Sequence, residues 1–170
     1  YASYGFLWYV YHIVGNEAVN LTNSTVVAAD LNTLDNNTIG TINADSVTTI
    51  EGLASDINIA YASDGIIKTD PLNLGSETVI LSDLTVQASD LNTLDINNTI
   101  GTINASGVIT ITGLASDINT AYLSSGIPGG ITGLGNENIT LDTPTVVAAD
   151  LNTLDNNTIG TINADSVTTI

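Results

Sequence analysis

Short runs of alternating apolar and polar residues recur along most of the chain. Thr41-Ile42-Asn43-Ala44 and Val47-Thr48-Thr49-Ile50 are one such pair, with copies at 102–105 and 108–111 and again at 161–164 and 167–170. Ala18–Leu21, Thr78–Leu81 and Asn138–Leu141 carry the same alternation. A period of two predicts β-strands. A second pattern follows the strand runs. Ala28, Asp30, Leu31, Asn32 and Leu34 form a frame repeated at Ala54, Ala88, Ala115 and Ala148. Apolar residues three apart, opened by Asp, predict one or two helical turns with a polar start. Gly, Asn, Asp and Ser punctuate the joins.

The frame makes the repeat explicit. Residues 25–50 and 145–170 are identical, and 85–111 is a close copy, which gives a long period of 60–61 residues. The frame aspartates Asp30, Asp56, Asp90, Asp117 and Asp150 are separated by 26, 34, 27 and 33 residues. Coils of 26–27 and 33–34 residues therefore alternate. A unit this small cannot bury its own apolar face, but stacking on its neighbours can. The expected fold is a β-rich tandem-repeat solenoid of short parallel strands plus a one- to two-turn helix per coil. Equivalent residues are expected to stack on one another about 4.8 Å apart. The solenoid is expected to span 15–170 and to continue beyond both ends.

Residues 1–14 keep the register but not the character of the repeat. Gly5 aligns with Gly65 and Gly126, yet six of the eight aromatic residues lie in 1–11. Phe6, Trp8, Tyr9 and Tyr11 are candidates for an interface with a partner or neighbouring subunit, since exposed apolar patches mark contacts. A locally divergent loop is the alternative. The apolar stretch at 4–14 is too short for a membrane span, which needs about 20 residues.

Composition narrows the function. The chain is 43% hydrophobic and only 11% charged, with 18 acidic residues against a single base, Lys68. The net charge of −17 excludes nucleic-acid binding and attraction to anionic lipid. A strongly acidic surface favours cations and solubility. Cysteine is absent, so disulfides give no information on compartment. One His (His12), one Lys and no Arg leave little for acid–base catalysis, and a chemistry repeated in every coil is unlike an active site. The chain reads as a non-enzyme.

Metal binding has a candidate donor set. Asp30 with Asn32, Asp56 with Asn58, Asp90 with Asn92, Asp117 with Asn119, and Asp150 with Asn152 offer hard oxygens suited to calcium. Asp35, Asp95 and Asp155 add to the set. Carboxylates stacked about 5 Å apart would repel by roughly 1 kcal/mol per pair even in water, which a divalent ion would relieve. The alternative is that each Asp caps its helical turn and each Asn forms a ladder with its neighbours.

The phrases Ala-Ala-Asp-Leu-Asn-Thr-Leu-Asp at 28–35, Gly-Thr-Ile-Asn-Ala at 40–44 and Gly-Leu-Ala-Ser-Asp-Ile-Asn-Thr-Ala-Tyr at 113–122 resemble the repeat arrays of very large secreted bacterial surface proteins. Adhesin-like and hemolysin-type proteins, notably cyanobacterial ones, carry similar arrays. The resemblance covers about 15–170. It implies secretion, a cell-surface setting and calcium dependence, although the glycine-rich calcium nonapeptide of such proteins is missing here. The expected function is a structural extracellular repeat protein that assembles with itself into a filament, stalk or surface layer. The alternative is a calcium-dependent adhesin array that holds cell-surface glycans.

Overall fold

The computed structural model describes residues 15–69 and 74–170. The aromatic segment, with Phe6, Trp8, Tyr9, Tyr11 and His12, lies outside the described residues. The described chain is an α/β structure of parallel strands and five helices. The helices are α1 (Ala28–Asn37), α2 (Ala54–Tyr61), α3 (Ala88–Asn97), α4 (Ala115–Leu123) and α5 (Ala148–Asn157). The strands are β1 (Val19–Asn20), β2 (Thr25–Val27), β3 (Ile42–Asn43), β4 (Thr49–Gly52), β5 (Ile66–Ile67), β6 (Thr78–Leu81), β7 (Thr85–Gln87), β8 (Ile103–Asn104), β9 (Thr110–Gly113), β10 (Ile131–Thr132), β11 (Asn138–Leu141) and β12 (Ile162–Asn163).

The helices are longer than the sequence pattern suggested, and together they hold more residues than the strands. The expectation of a β-rich chain with one- to two-turn helices is corrected on this point. Eight to ten residues form each helix. The polar half of the frame supports the extra turn. The Thr33 hydroxyl donates to the Ala29 carbonyl at 2.8 Å, and the Asn37 amide to the Thr33 carbonyl at 2.7 Å. Ala28, Leu31 and Leu34 lie on the opposite, buried face. A ten-residue helix is marginal alone, and this inner face supplies the packing that holds it. Each helix packs against the next along the chain, from α1 through to α5.

All strand pairing is parallel, in three sheets ordered β1-β3-β5, β2-β4-β6-β8-β10 and β7-β9-β11-β12. The register stacks apolar residue on apolar residue. Val19, Ile42 and Ile66 form one ladder, and Val86, Ile111, Ile139 and Ile162 another. Burial alternates along the strands, so one face of each sheet packs inward and the other faces out; on the inward face Ile42, Ile50, Ile66, Ile103 and Ile111 are 0–1% exposed.

Equivalent residues of successive 60-residue units do not pair, contrary to the expectation of like stacked on like. Val19 and Val79 are equivalent, yet Val79 pairs with Ile50 on one side and Ile103 on the other. The cause is the alternating interval. Two strands, β3 and β4, lie between α1 and α2, whereas three, β5, β6 and β7, lie between α2 and α3. The third strand displaces the ladder. β6 continues the ladder of β4 instead of starting a new one, so the strand frame moves across by one ladder per unit.

Close backbone approach fixes one residue type. A Cβ on Gly40, Gly101 or Gly160 would overlap the carbonyl oxygen of Glu17, Glu77 or Glu137 respectively. These three glycines let the strand leaving each ten-residue helix pass against the preceding turn.

Candidate functional site

The frame aspartates sit at the third position of each helix. The residues before the helices, Val27, Leu53, Gln87, Leu114 and Val147, are extended and give no side-chain cap. Asp30, Asp56, Asp90, Asp117 and Asp150 are therefore not the caps that the sequence suggested. They lie in the first turn, where the helix dipole favours a negative charge. One cap comes instead from a different part of the chain. The Asp83 carboxylate accepts the first N–H of α2, from Ala54, at 2.9 Å. Burial pushes the Asp83 carboxyl above its ordinary range, and the charges of Asp90 and Asp56 add to this.

The asparagines behave as a ladder. Asn32 donates its side-chain amide to the backbone carbonyl of Asp56 at 2.9 Å, and Asn58 to that of Asp90 at 3.0 Å. Asn92 donates to Asp117 at 2.9 Å and Asn119 to Asp150 at 3.2 Å. Four bonds thus tie five helices into one column. Asn152, on the last of these helices, is exposed.

This arrangement does not fit calcium at Asp30/Asn32 and its four counterparts. Among the described residues, no three His, Cys, Asp or Glu side chains come together to hold a metal. Calcium takes six to eight oxygens, whereas each helix contributes one frame carboxylate, and no second or third carboxylate joins it. The electrostatic motive also fades. The aspartates ride on helices, whose axes pack about 8–10 Å apart, and at that distance two charges repel by only about 0.5 kcal/mol in water. Asp35 and Asp95 are engaged elsewhere. They accept the hydroxyls of Ser63 at 2.8 Å and Ser124 at 2.7 Å. Asp155 is exposed.

The charged groups that the fold does bury were not singled out by the sequence. Glu77 and Glu137 are 1% and 2% exposed. The Lys68 ammonium lies 2.6 Å from Glu77 Oε1 and 2.7 Å from the Val47 carbonyl. The Gly75 and Ser76 N–H groups donate to Glu77 Oε2 at 2.7 and 3.1 Å. Burial alone would raise the Glu77 carboxyl. The Lys68 ammonium and these N–H groups outweigh it and hold the carboxyl below its ordinary range. Glu137 accepts the Tyr122 hydroxyl at 3.0 Å and the Gly135 N–H at 2.8 Å, both on Oε2. Burial raises the Tyr61 and Tyr122 hydroxyls well above their ordinary value, and the facing glutamate charges add to this. The visible signal was Gly-x-Glu at 75–77 and 135–137, each about 15 residues after a Tyr. Glu rarely enters a core, so the motif alone does not mark a buried group.

The single lysine is bound on two sides, and each buried glutamate is held by backbone N–H donors. No helix among the described residues is long and apolar enough to cross a membrane. Comparison of the chain with protein-family models, with curated proteins and with solved structures finds no match.

Proposed function

We propose that the chain is part of a structural extracellular repeat protein, a solenoid that assembles with itself into a filament, stalk or surface layer. One observation carries this reading. The sequence of 25–50 recurs unchanged at 145–170, but the two copies are not equally covered. Leu31, Ile42 and Ile50 are fully buried. Their counterparts Leu151 and Ile162 are half-buried, and Ile170 is 77% exposed. The first copy is covered by α2 and by β5 and β6. The motif thus gains its core from the next layer, which is the energetic logic of stacked repeats. The Asn ladder and the parallel pairing extend the same dependence through hydrogen bonds.

Net charge supports the setting. A strongly acidic surface keeps such an array soluble. Secretion and the cell surface follow from the resemblance of the repeat phrases to secreted arrays. The adhesin alternative loses its calcium donor set at the aspartates. Glycan binding keeps a candidate surface in the Thr25–Thr49–Thr78 register, a row of threonines on the outward side of adjacent strands.

Electron microscopy of native, cell-derived material, before and after chelation, tests the proposal. Long fibres that survive chelation support it. Discrete, non-assembling monomers with hydrolytic activity would overturn it.

A further inference from the structure

We propose that the cavity between the first turns of α4 and α5 takes a lysine side chain from a basic partner protein. The cavity measures about 270 Å³. That is below the usual size of a pocket for a drug-sized ligand and suits a single side chain. Leu114 and Val147, the extended residues that lead into the two helices, line it, with Val146 beside them. Ser116 and Thr143 add hydroxyls, and Asp150 supplies the one carboxylate of the lining. Leu114 and Val147 are 45% and 61% exposed, so a partner reaches these walls from outside.

The site is a local exception in the repeat. The equivalent positions between α2 and α3 are Leu53, Ser55, Asp83, Val86, Gln87 and Asp90. There Asp83 accepts the Ala54 N–H at 2.9 Å. Thr143 stands in place of Asp83 and Val147 in place of Gln87, and the Thr143 hydroxyl turns back to the Thr145 carbonyl at 2.9 Å. A carboxylate and an amide are thus exchanged for smaller or apolar groups, while Asp150 keeps the place of Asp90. The charge that remains favours a cation. Asp56 and Asp90 oppose a negative charge on Asp83, and their counterparts are Asp117 and Asp150. The net charge of −17 draws a basic partner. One carboxylate is too few for calcium, and the planar fork of arginine seeks paired acceptors. Lysine fits apolar walls with a single acid, because its stem lies along apolar surface while its head stays in the polar surroundings. The lysine comes from a partner, since Lys68, the single lysine of this sequence, is already held by Glu77 and the Val47 carbonyl.

The test titrates the intact chain, at fixed ionic strength, with three probes: Nα-acetyl-lysine methylamide, its Nε-acetylated form and the norleucine analogue. The methyl signals of Leu114 and Val147 are followed by NMR. The expected result is saturable shifts at both residues with the lysine probe, and binding roughly tenfold weaker for the two uncharged probes. Asp150→Asn weakens the lysine probe by a similar factor. Asp155→Asn, at an exposed position of the same helix, leaves it unchanged. The shift map of the unsubstituted chain does not depend on a variant folding. No shift at these methyls, equal binding of all three probes, or shifts spread evenly from α1 to α5 would overturn the site.

Discussion

The side-chain amide of Asn92 donates to the backbone carbonyl of Asp117 across 2.9 Å, joining α3 to α4 through one residue from each of two successive Asp/Asn pairs that the sequence offered as calcium ligands. The asparagine is therefore a cross-tie, and the aspartate beside it contributes its carbonyl rather than its carboxylate. Replacing Asn92 by Ala should cost about 1 kcal/mol, the ordinary net value of such a bond. Asn152→Ala, at an exposed position, should change stability by less than about 0.5 kcal/mol. Urea denaturation of the two variants checks the contrast.

Leu31 and Leu151 provide a matched pair in identical local sequence. Leu31→Ala removes a fully buried side chain and should cost about 2–5 kcal/mol. Leu151→Ala, at a half-buried position, should cost less than half as much. Equal losses in thermal or chemical unfolding would mean that burial by the following layer contributes nothing to Leu31.

The buried pair Lys68–Glu77 makes a sharper demand. Lys68→Ala leaves Glu77 without its counter-charge and should destabilise by about 3–5 kcal/mol. The pH dependence has a defined sign. Glu77 is held below its ordinary range, so its contribution is full above the ordinary glutamate value and is lost as pH falls through the lower, folded value. Stability measured by denaturant melts from neutral to acid pH should fall in that window, with a shallower slope in Glu77→Gln.

Gly101 and Gly107 separate a steric need from a mere loop preference. A Cβ at Gly101 would overlap the Glu77 carbonyl, whereas one at Gly107 meets only the Leu81 carbonyl at 3.8 Å. Gly101→Ala should destabilise by about 1–3 kcal/mol. Gly107→Ala should be neutral or slightly stabilising. Melting temperatures of the two variants decide it.

Much of this architecture could be read from spacing. Leu31 and Leu34, three apart after Ala28, announced a helix face. Thr49-Ile50 announced a strand with Ile50 inward. Parallel pairing of short strands followed from the repeat itself. The helix length was under-read because Asn36 and Asn37 look like a turn, yet Asn37 bonds back to Thr33 and prolongs the helix. The cap was misread because Asp30 has the right chemistry for a cap but stands three residues too far along, after an extended Val27. The one-ladder shift was invisible because Val79 pairs through its backbone with Ile50 and Ile103 alike, and side-chain type does not distinguish the two registers. The Lys68–Glu77 pair joins residues across a segment whose length differs between units, and such insertions hide a pairing that linear alignment would show.

The central claim is that each unit is completed by the layer that follows it. Appending the sequence of residues 51–111 after Ile170 and measuring the melting temperature and native-state amide exchange of the 145–170 segment tests it most directly. The account predicts a single unfolding transition at higher temperature, with the amides of Leu151 and Ile162 protected as strongly as those of Leu31 and Ile42. An unchanged melting temperature, with 145–170 exchanging as fast as before, would contradict it.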